Sequence, residues 1–202
     1  MEEFQNNTML NEINNRKNHN IHGLVRILDV CPNVMVDLQY FGPNNFFQKA
    51  LYDSPEAWIL AETACKLQRA SGNAEQKGFI LVILDAYRPL SVQQTMWDIL
   101  PDSNFVAPMT RGSIHNRGAA VDVTLADTSR TPVPMPSQFD EFSERASHTY
   151  QEGPPECLAN REQLRAIMEN AGFTAYNAEW WHYTDSDQKH RPLIDVPLSE
   201  LG

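Results

Sequence analysis

The chain has 202 residues and a formal net charge of −10, from 16 Lys and Arg against 26 Asp and Glu. With 42% hydrophobic and 21% charged residues it has the composition of a globular protein able to bury a core, so disorder throughout is excluded and a polyanion such as nucleic acid is a poor partner. The longest apolar run, Phe79 to Leu84, is far shorter than the ~20 residues of a membrane span, so no membrane partner is expected.

Met1 to Asn20 is polar and Asn-rich, without the basic start and apolar segment of a secretory leader. The expected location is therefore cytoplasmic, or periplasmic if a leader has been removed. Residues 1–22 read as a poorly ordered polar extension and residues 23–202 as a single domain. Val25 to Val30 and Val34 to Leu38 read as short strands around a Pro32-Asn33 turn. Ser54-Pro55-Glu56 carries helix-start chemistry, which predicts a helix from there to about Ser71, closed by Gly72. Phe79 to Leu84 reads as a strand covered on both faces that delivers Asp85, Tyr87 and Arg88 at its exit.

Ser91 is placed to cap a second helix over Val92 to Leu100, closed by Pro101. In the stretch from Ala119 to Leu125, the alternation puts Ala119, Val121, Val123 and Leu125 on one face and Ala120, Asp122 and Thr124 on the other. Residues 132–136 form a Pro-rich stiff loop, and 137–155 an irregular stretch of a length that is often functional. A third helix is expected from Asn160, with Leu164, Ile167, Met168 and Ala171 on one face and Gly172 as its stop. Phe173 to Tyr183 then returns to aromatic-rich strand character. Without strict alternation of strands and helices, the pattern favours an α+β fold with a mainly antiparallel central sheet flanked by helices.

Cys31, Cys65 and Cys157 are odd in number and lack CxxC spacing, so buried reduced thiols are expected. His115 and Asp122 lie roughly 23 Å apart if the chain is extended, so they share an ion only if it doubles back, and Asn116-Arg117-Gly118 supplies turn chemistry there. A catalytic zinc takes three protein ligands, and His182 completes a His–Asp–His set with Glu179 as a spare carboxylate three residues earlier. Taken alone each residue has an ordinary reading: His115 a hydrogen-bonded turn residue, Asp122 a paired carboxylate, Arg88 an ion-pair partner of Asp85. His19, His22, His148 and His190 sit among polar neighbours and read as solvated.

The conjunction is more specific. Ser113, His115, Gly118, Ala120 and Asp122 form an SxHxxGxAxD pattern, followed by ExxH at Glu179 and His182. This resembles the zinc D,D-peptidase clan, which includes D-Ala-D-Ala carboxypeptidases, phage endolysins and the Hedgehog signalling fold. Within it the chain is most similar to the VanX-like D-alanyl-D-alanine dipeptidases, through Asp37-Leu38-Gln39-Tyr40, Asp85-Ala86-Tyr87-Arg88-Pro89, Phe139-Asp140 and Glu179-Trp180-Trp181-His182-Tyr183. The resemblance implies one Zn²⁺ per chain on His115, Asp122 and His182, Glu179 as general acid/base and Arg88 as stabiliser of the oxyanion. It also implies Asp140, Tyr40, Ser113 and Asp85 as substrate-binding residues, with Asp140 at the ammonium, Tyr40 as a pocket wall and Asp85 also orienting Arg88.

The implied reaction is hydrolysis of a small D,D-dipeptide, D-Ala-D-Ala, to two D-alanines. The alternatives are a D,D-carboxypeptidase or endopeptidase acting on longer peptidoglycan peptides and a non-catalytic zinc-binding module. Quaternary structure, a homo-oligomer included, stays open. Three departures from the family pattern stand out: a longer polar arm before Gly23, the cation Arg111 just ahead of the metal motif, and a family-variable loop before the Asn160 helix.

Overall fold

The computed structural model describes residues 22–103 and 105–202. The expected extension over 1–22, His19 included, therefore falls outside the described residues apart from His22. In chain order the elements are β1 (Leu24–Arg26), α1 (Ile27–Val30), β2 (Met35–Val36), β3 (Trp58–Leu60), α2 (Ala61–Gln76), β4 (Ile80–Asp85) and α3 (Leu90–Ile99). They continue with β5 (Ala120–Ala126), α4 (Pro155–Asn170), β6 (Thr174–Ala175) and β7 (His182–Thr184).

Five strands form the central sheet in the order β2-β4-β5-β7-β6. Only β2 and β4 run parallel; β4–β5, β5–β7 and β7–β6 are antiparallel. The sheet is thus mainly antiparallel and the fold α+β, as the element pattern implies. Leu81 and Ile83 of β4 and Val121, Val123 and Leu125 of β5 join one core with Ala64, Leu67 and Ala70 of α2 and Leu164, Ile167 and Met168 of α4. Val82, Leu84 and Ala126 pack on the opposite face against Met35, Ile80 and Phe139. Burial of both faces explains why β4 reads as an unbroken apolar run.

Several boundaries differ from expectation. Ser54-Pro55-Glu56 starts no helix: the Ser54 hydroxyl accepts from the Glu56 N–H in a local turn, and Trp58 to Leu60 pairs with Leu24 to Arg26 as a strand ribbon. Cross-strand pairing of three fully buried residues outweighs local capping chemistry. Helix α2 therefore begins at Ala61 and runs through Gly72 to Gln76; Gly78, at φ +78°, closes it in the left-handed conformation that glycine takes without strain. Residues Ile27 to Val30, expected as strand, make a single helical turn held by the Cys31 N–H to Ile27 carbonyl bond and the Arg26–Asp29 ion pair.

Helix α4 starts at Pro155, with proline at its first position, instead of at Asn160. The Asn160 amide donates instead to the Pro134 carbonyl, tying the Pro-rich loop to the helix. Cys31 and Cys65 are buried thiols, as expected, and Cys157 is partly exposed. No helix among the described residues is long and apolar enough to cross a membrane.

Candidate active site

Strand pairing does the first part of assembling the site. In the β5–β7 register Asp122 lies directly opposite His182, which brings their side chains together on one face. His115 arrives from the other side, on a 3-10 turn over His115–Arg117 that ends at Gly118 with φ +65°. A Cβ at Gly118 would meet Leu24 at 2.8 Å and the Leu60 backbone nitrogen at 3.1 Å, so both conformation and space require glycine there. This is the doubling back that the His115 to Asp122 spacing demands.

Three donor atoms converge as a result. His182 Nδ1 lies 2.9 Å from Asp122 Oδ1, His115 Nε2 lies 3.1 Å from His182 Nδ1, and His115 Nε2 lies 3.3 Å from Asp122 Oδ1. The group could hold a metal ion. Each imidazole has its second nitrogen engaged: His115 Nδ1 with the Ala86 carbonyl at 2.7 Å, and His182 Nε2 with the Thr184 hydroxyl at 3.2 Å. Such partners fix the ring orientation and leave the inward nitrogen free as a donor. Burial opposes charge on His115 and Asp122, yet the Asp122 and Asp85 carboxylates raise the pKa of His115, and the two imidazoles hold Asp122 well below the usual carboxylate range.

Arg88 leaves the end of β4 and is fixed on three sides. Its Nε and Nη2 donate to Asp85 Oδ2 at 3.2 and 2.6 Å, and its Nη1 donates to Gln93 Oε1 at 2.9 Å. Burial disfavours the guanidinium charge, but Asp85 outweighs it and its pKa is raised. The other oxygen of Asp85 accepts from the Tyr52 hydroxyl and the Ala86 N–H, and His115 Nδ1 is 3.5 Å from Oδ2. The Arg88 N–H donates to the His115 carbonyl, so the strand exit and the histidine turn form one unit. The guanidinium also sits 5.2 Å from the centre of the Tyr40 ring, whose hydroxyl donates to Asp140 Oδ2 at 2.7 Å.

These groups face a cavity of about 660 Å³ whose lining includes Tyr40, Arg88, Ser113, His115, Asp122, Asp140, Glu179 and His182. Asp85 is not in that lining. It is fully buried behind Arg88, so among the residues expected at the substrate it is the one that does not reach the cavity. Ser113 lines the wall beside His115 and accepts the His115 N–H with its hydroxyl, at 3.2 Å. Burial pushes Glu179 up to about 7, with Asp122 and Asp140 adding to the effect against His182 and Arg88. Burial likewise lifts Asp140 to about 7, against the Tyr40 hydrogen bond. Asp140 also has φ +56°, a conformation that Asp tolerates better than most residues.

Sequence reasoning misses Gln93, Tyr52 and Tyr176. The first two bind the Arg88–Asp85 pair, and the Tyr176 ring packs edge-on against His182 with centroids 5.8 Å apart. None carries a local motif. Trp181 lines the cavity, whereas Trp180 is turned away, its indole N–H on the Ser137 hydroxyl. His148, expected in solvent, is buried at 3% exposure, while His22 and His190 are exposed.

The peptidase M15 family model described as D-ala-D-ala dipeptidase matches residues 20–199. The chain belongs to this family. It is a peptidase, and so a hydrolase. A D-alanyl-D-alanine dipeptidase of Escherichia coli is 36% identical over 172 residues, covering 85% of this chain and 89% of its own. One from Enterococcus faecium is 32% identical over 199 residues, covering 87% and 98%. Among solved structures, a variant of the vancomycin resistance D,D-pentapeptidase VanY in complex with Zn(II) aligns with TM-score 0.43 and 18% identity, over 71% of this chain and 84% of that one.

Proposed function

We propose that this family member hydrolyses D-Ala-D-Ala to two D-alanines, with His115, Asp122 and His182 holding one zinc ion, Glu179 moving the proton and Arg88 meeting the oxyanion. The observation that carries the reading is the convergence of three donor atoms in a cavity that the Glu179 carboxyl and the Arg88 guanidinium also line. The donor spacing supports zinc. Tetrahedral ligands with bonds of ~2.0–2.1 Å stand roughly 3.3 Å apart, and the three separations here are 2.9, 3.1 and 3.3 Å. Two neutral imidazoles and a carboxylate, each braced from behind, are a donor set suited to that ion and leave a position open for chemistry.

The bound ion would supply Lewis acidity for the scissile carbonyl and a water reactive near neutral pH. Glu179, at about 7, is matched to accepting a proton from the attacking water and returning it to the departing amine at the same pH. Arg88, held by Asp85 and Gln93, is a permanent cation that needs no reorganisation when charge develops on the carbonyl oxygen. Asp140 and Tyr40 offer the free ammonium of a dipeptide a carboxylate and an aromatic wall, and Ser113, beside His115, offers a polar contact to the C-terminal residue. The small D,D-peptide and a cytoplasmic site of action belong to the same reading.

The test is an assay on D-Ala-D-Ala, L-Ala-L-Ala and N-acetyl-D-Ala-D-Ala, with and without a chelator. Chelator-sensitive turnover of D-Ala-D-Ala alone is expected; equal turnover of the acetylated form would point to a carboxypeptidase instead. Glu179→Ala should keep its zinc and lose kcat by about 10²–10⁴-fold. Near-native turnover in that variant defeats the assignment.

A further inference from the structure

The cavity is larger than two alanines require, and apart from Arg88 its acids and its cations line different parts of the wall. At about 660 Å³ it matches the ~300–1,000 Å³ of sites that take ligands several times the size of dialanine. Its acids, Asp122, Asp140 and Glu179, are buried or half-buried beside the donor cluster. On the Ser113 side the lining instead ends in Arg111, Lys189 and His190, all exposed. Among the described residues no carboxylate pairs with Arg111 or Lys189, whereas the nearby Arg191 is taken up by Glu62.

This rim is built, not loose. The Arg117 guanidinium donates to the Arg111 carbonyl at 3.1 Å and to the Arg191 carbonyl, gripping both segments at once. Gly112, at φ +66°, packs so closely on Leu193 that a Cβ would meet its Cδ2 at 2.6 Å. The Ser113 N–H donates to Asn116 Oδ1 at 2.7 Å, which anchors the same loop to the histidine turn. On a chain of net charge −10, which repels anions on average, two exposed cations with no carboxylate partner among the described residues, carried on this rim of the cavity, are a local exception that focuses a negative group there.

We propose that Arg111 and Lys189 form an anion-accepting outer subsite on the C-terminal side of the substrate, so that the preferred class includes D-Ala-D-X dipeptides whose second residue carries a carboxylate. The inference rests on the proposed dipeptidase reading, in which the ammonium lies toward Asp140 and the C-terminal residue toward Ser113. That orientation carries an acidic side chain outward to the rim, away from the three buried acids.

The deciding measurement compares D-Ala-D-Glu with D-Ala-D-Gln, nearly identical in shape, on the native enzyme, with D-Ala-D-Ala run beside them. The Glu substrate should win in kcat/KM by about five- to tenfold at low salt, and the advantage should shrink as ionic strength rises to about 0.5 M. In Arg111→Glu/Lys189→Glu the order should invert, D-Ala-D-Lys overtaking D-Ala-D-Glu, while D-Ala-D-Ala stays within about threefold of native. Equal kcat/KM for the Glu and Gln substrates on native enzyme that does cleave D-Ala-D-Ala overturns the subsite and leaves the dipeptidase reading intact. Failure to cleave any of the three overturns that reading and the subsite with it.

Discussion

Asp85 and Asp185 are both fully buried, and each faces a cation: Arg88 at 2.6 Å and Lys66 at 2.5 Å. Each also accepts a hydroxyl, from Tyr52 and from Thr63, and a backbone N–H, from Ala86 and from Asp187. The two differ in where the cation leads. Arg88 turns its remaining donor to Gln93 and lines the cavity, and Asp85 also approaches His115. Lys66 turns to Asp187, an exposed acid on the surface, so its network closes on α2 and the segment after β7 without touching the site. A buried ion pair is therefore no sign of function by itself. The sign is a cation whose free face opens on a cavity.

The sharpest way to break the comparison is to truncate both acids. Removing Asp85 strands a buried guanidinium, and Asp85→Ala should lose about 3–5 kcal/mol of stability in chemical denaturation; Lys66 keeps Asp187 at 2.8 Å, so Asp185→Ala should lose less. Their turnover should diverge. Asp85→Ala frees Arg88 and Tyr52 and should lower kcat by about 10²-fold or more, because a guanidinium without its counter-ion no longer points at the developing oxyanion. Asp185→Ala should keep kcat within about twofold when rates are normalised to folded, metal-loaded protein. Equal losses in kcat would show that the Asp185 network reaches the site after all.

How legible this was in the sequence follows the same division. His115 and Asp122 could be read because Gly118 makes the turn between them and the alternation from Ala119 to Leu125 sets the face of Asp122; Glu179 and His182 could be read from the ExxH spacing and the family resemblance, although His182 meets Asp122 only through strand pairing 60 positions away. Arg88 could be read as the exit of an apolar run. Tyr52 and the whole Asp185–Lys66–Thr63 cluster could not, because their meaning lies in partners far along the chain, 33 positions for Tyr52 and Asp85 and 119 for Lys66 and Asp185; Gln93 lies only five positions from Arg88 but carries no motif that marks it. The Ser54-Pro55-Glu56 start failed for the mirror-image reason. Its local chemistry is genuine, and a strand pairing with Leu24 to Arg26 overrides it.

A conservative change sharpens the contrast at lower cost. Arg88 needs two nitrogens on Asp85 and a third on Gln93, a fork that an ammonium cannot reproduce. Arg88→Lys should therefore lose about 10-fold or more in kcat with little change in KM. Lys66 offers a point charge, and Lys66→Arg should be nearly silent in activity and change stability by no more than about 1 kcal/mol. A silent Arg88→Lys would remove the argument that geometry, and not charge alone, is what Asp85 supplies.

His148 shows what burial does to a titratable group when the cations around it, Arg165 and Arg161, outweigh the acids, Glu162 and Glu169. Among the described residues neither of its ring nitrogens nor the neighbouring Tyr183 hydroxyl has a hydrogen-bond partner, and the two rings pack edge-on with centroids 6.2 Å apart. Its own N–H donates to the Asn177 carbonyl, so the backbone is held while the ring is left without polar company. Burial, reinforced by Arg165 and Arg161, pushes its pKa down to about 4 from an ordinary 6.5. Between those values the unfolded chain binds a proton that the folded chain refuses, so stability rises with pH across the window. The folded state is unpenalised above about pH 6.5 and loses on the order of 2–3 kcal/mol as pH falls to 4. Replacing the imidazole by a group that cannot titrate, as in His148→Phe, should flatten the pH dependence of the denaturation midpoint over that window, relative to native protein, and leave kcat at pH 7 unaffected. An unchanged slope would mean that the ring already carries its proton in the folded protein, and that this third buried group, like Asp85 and Asp185, has a partner.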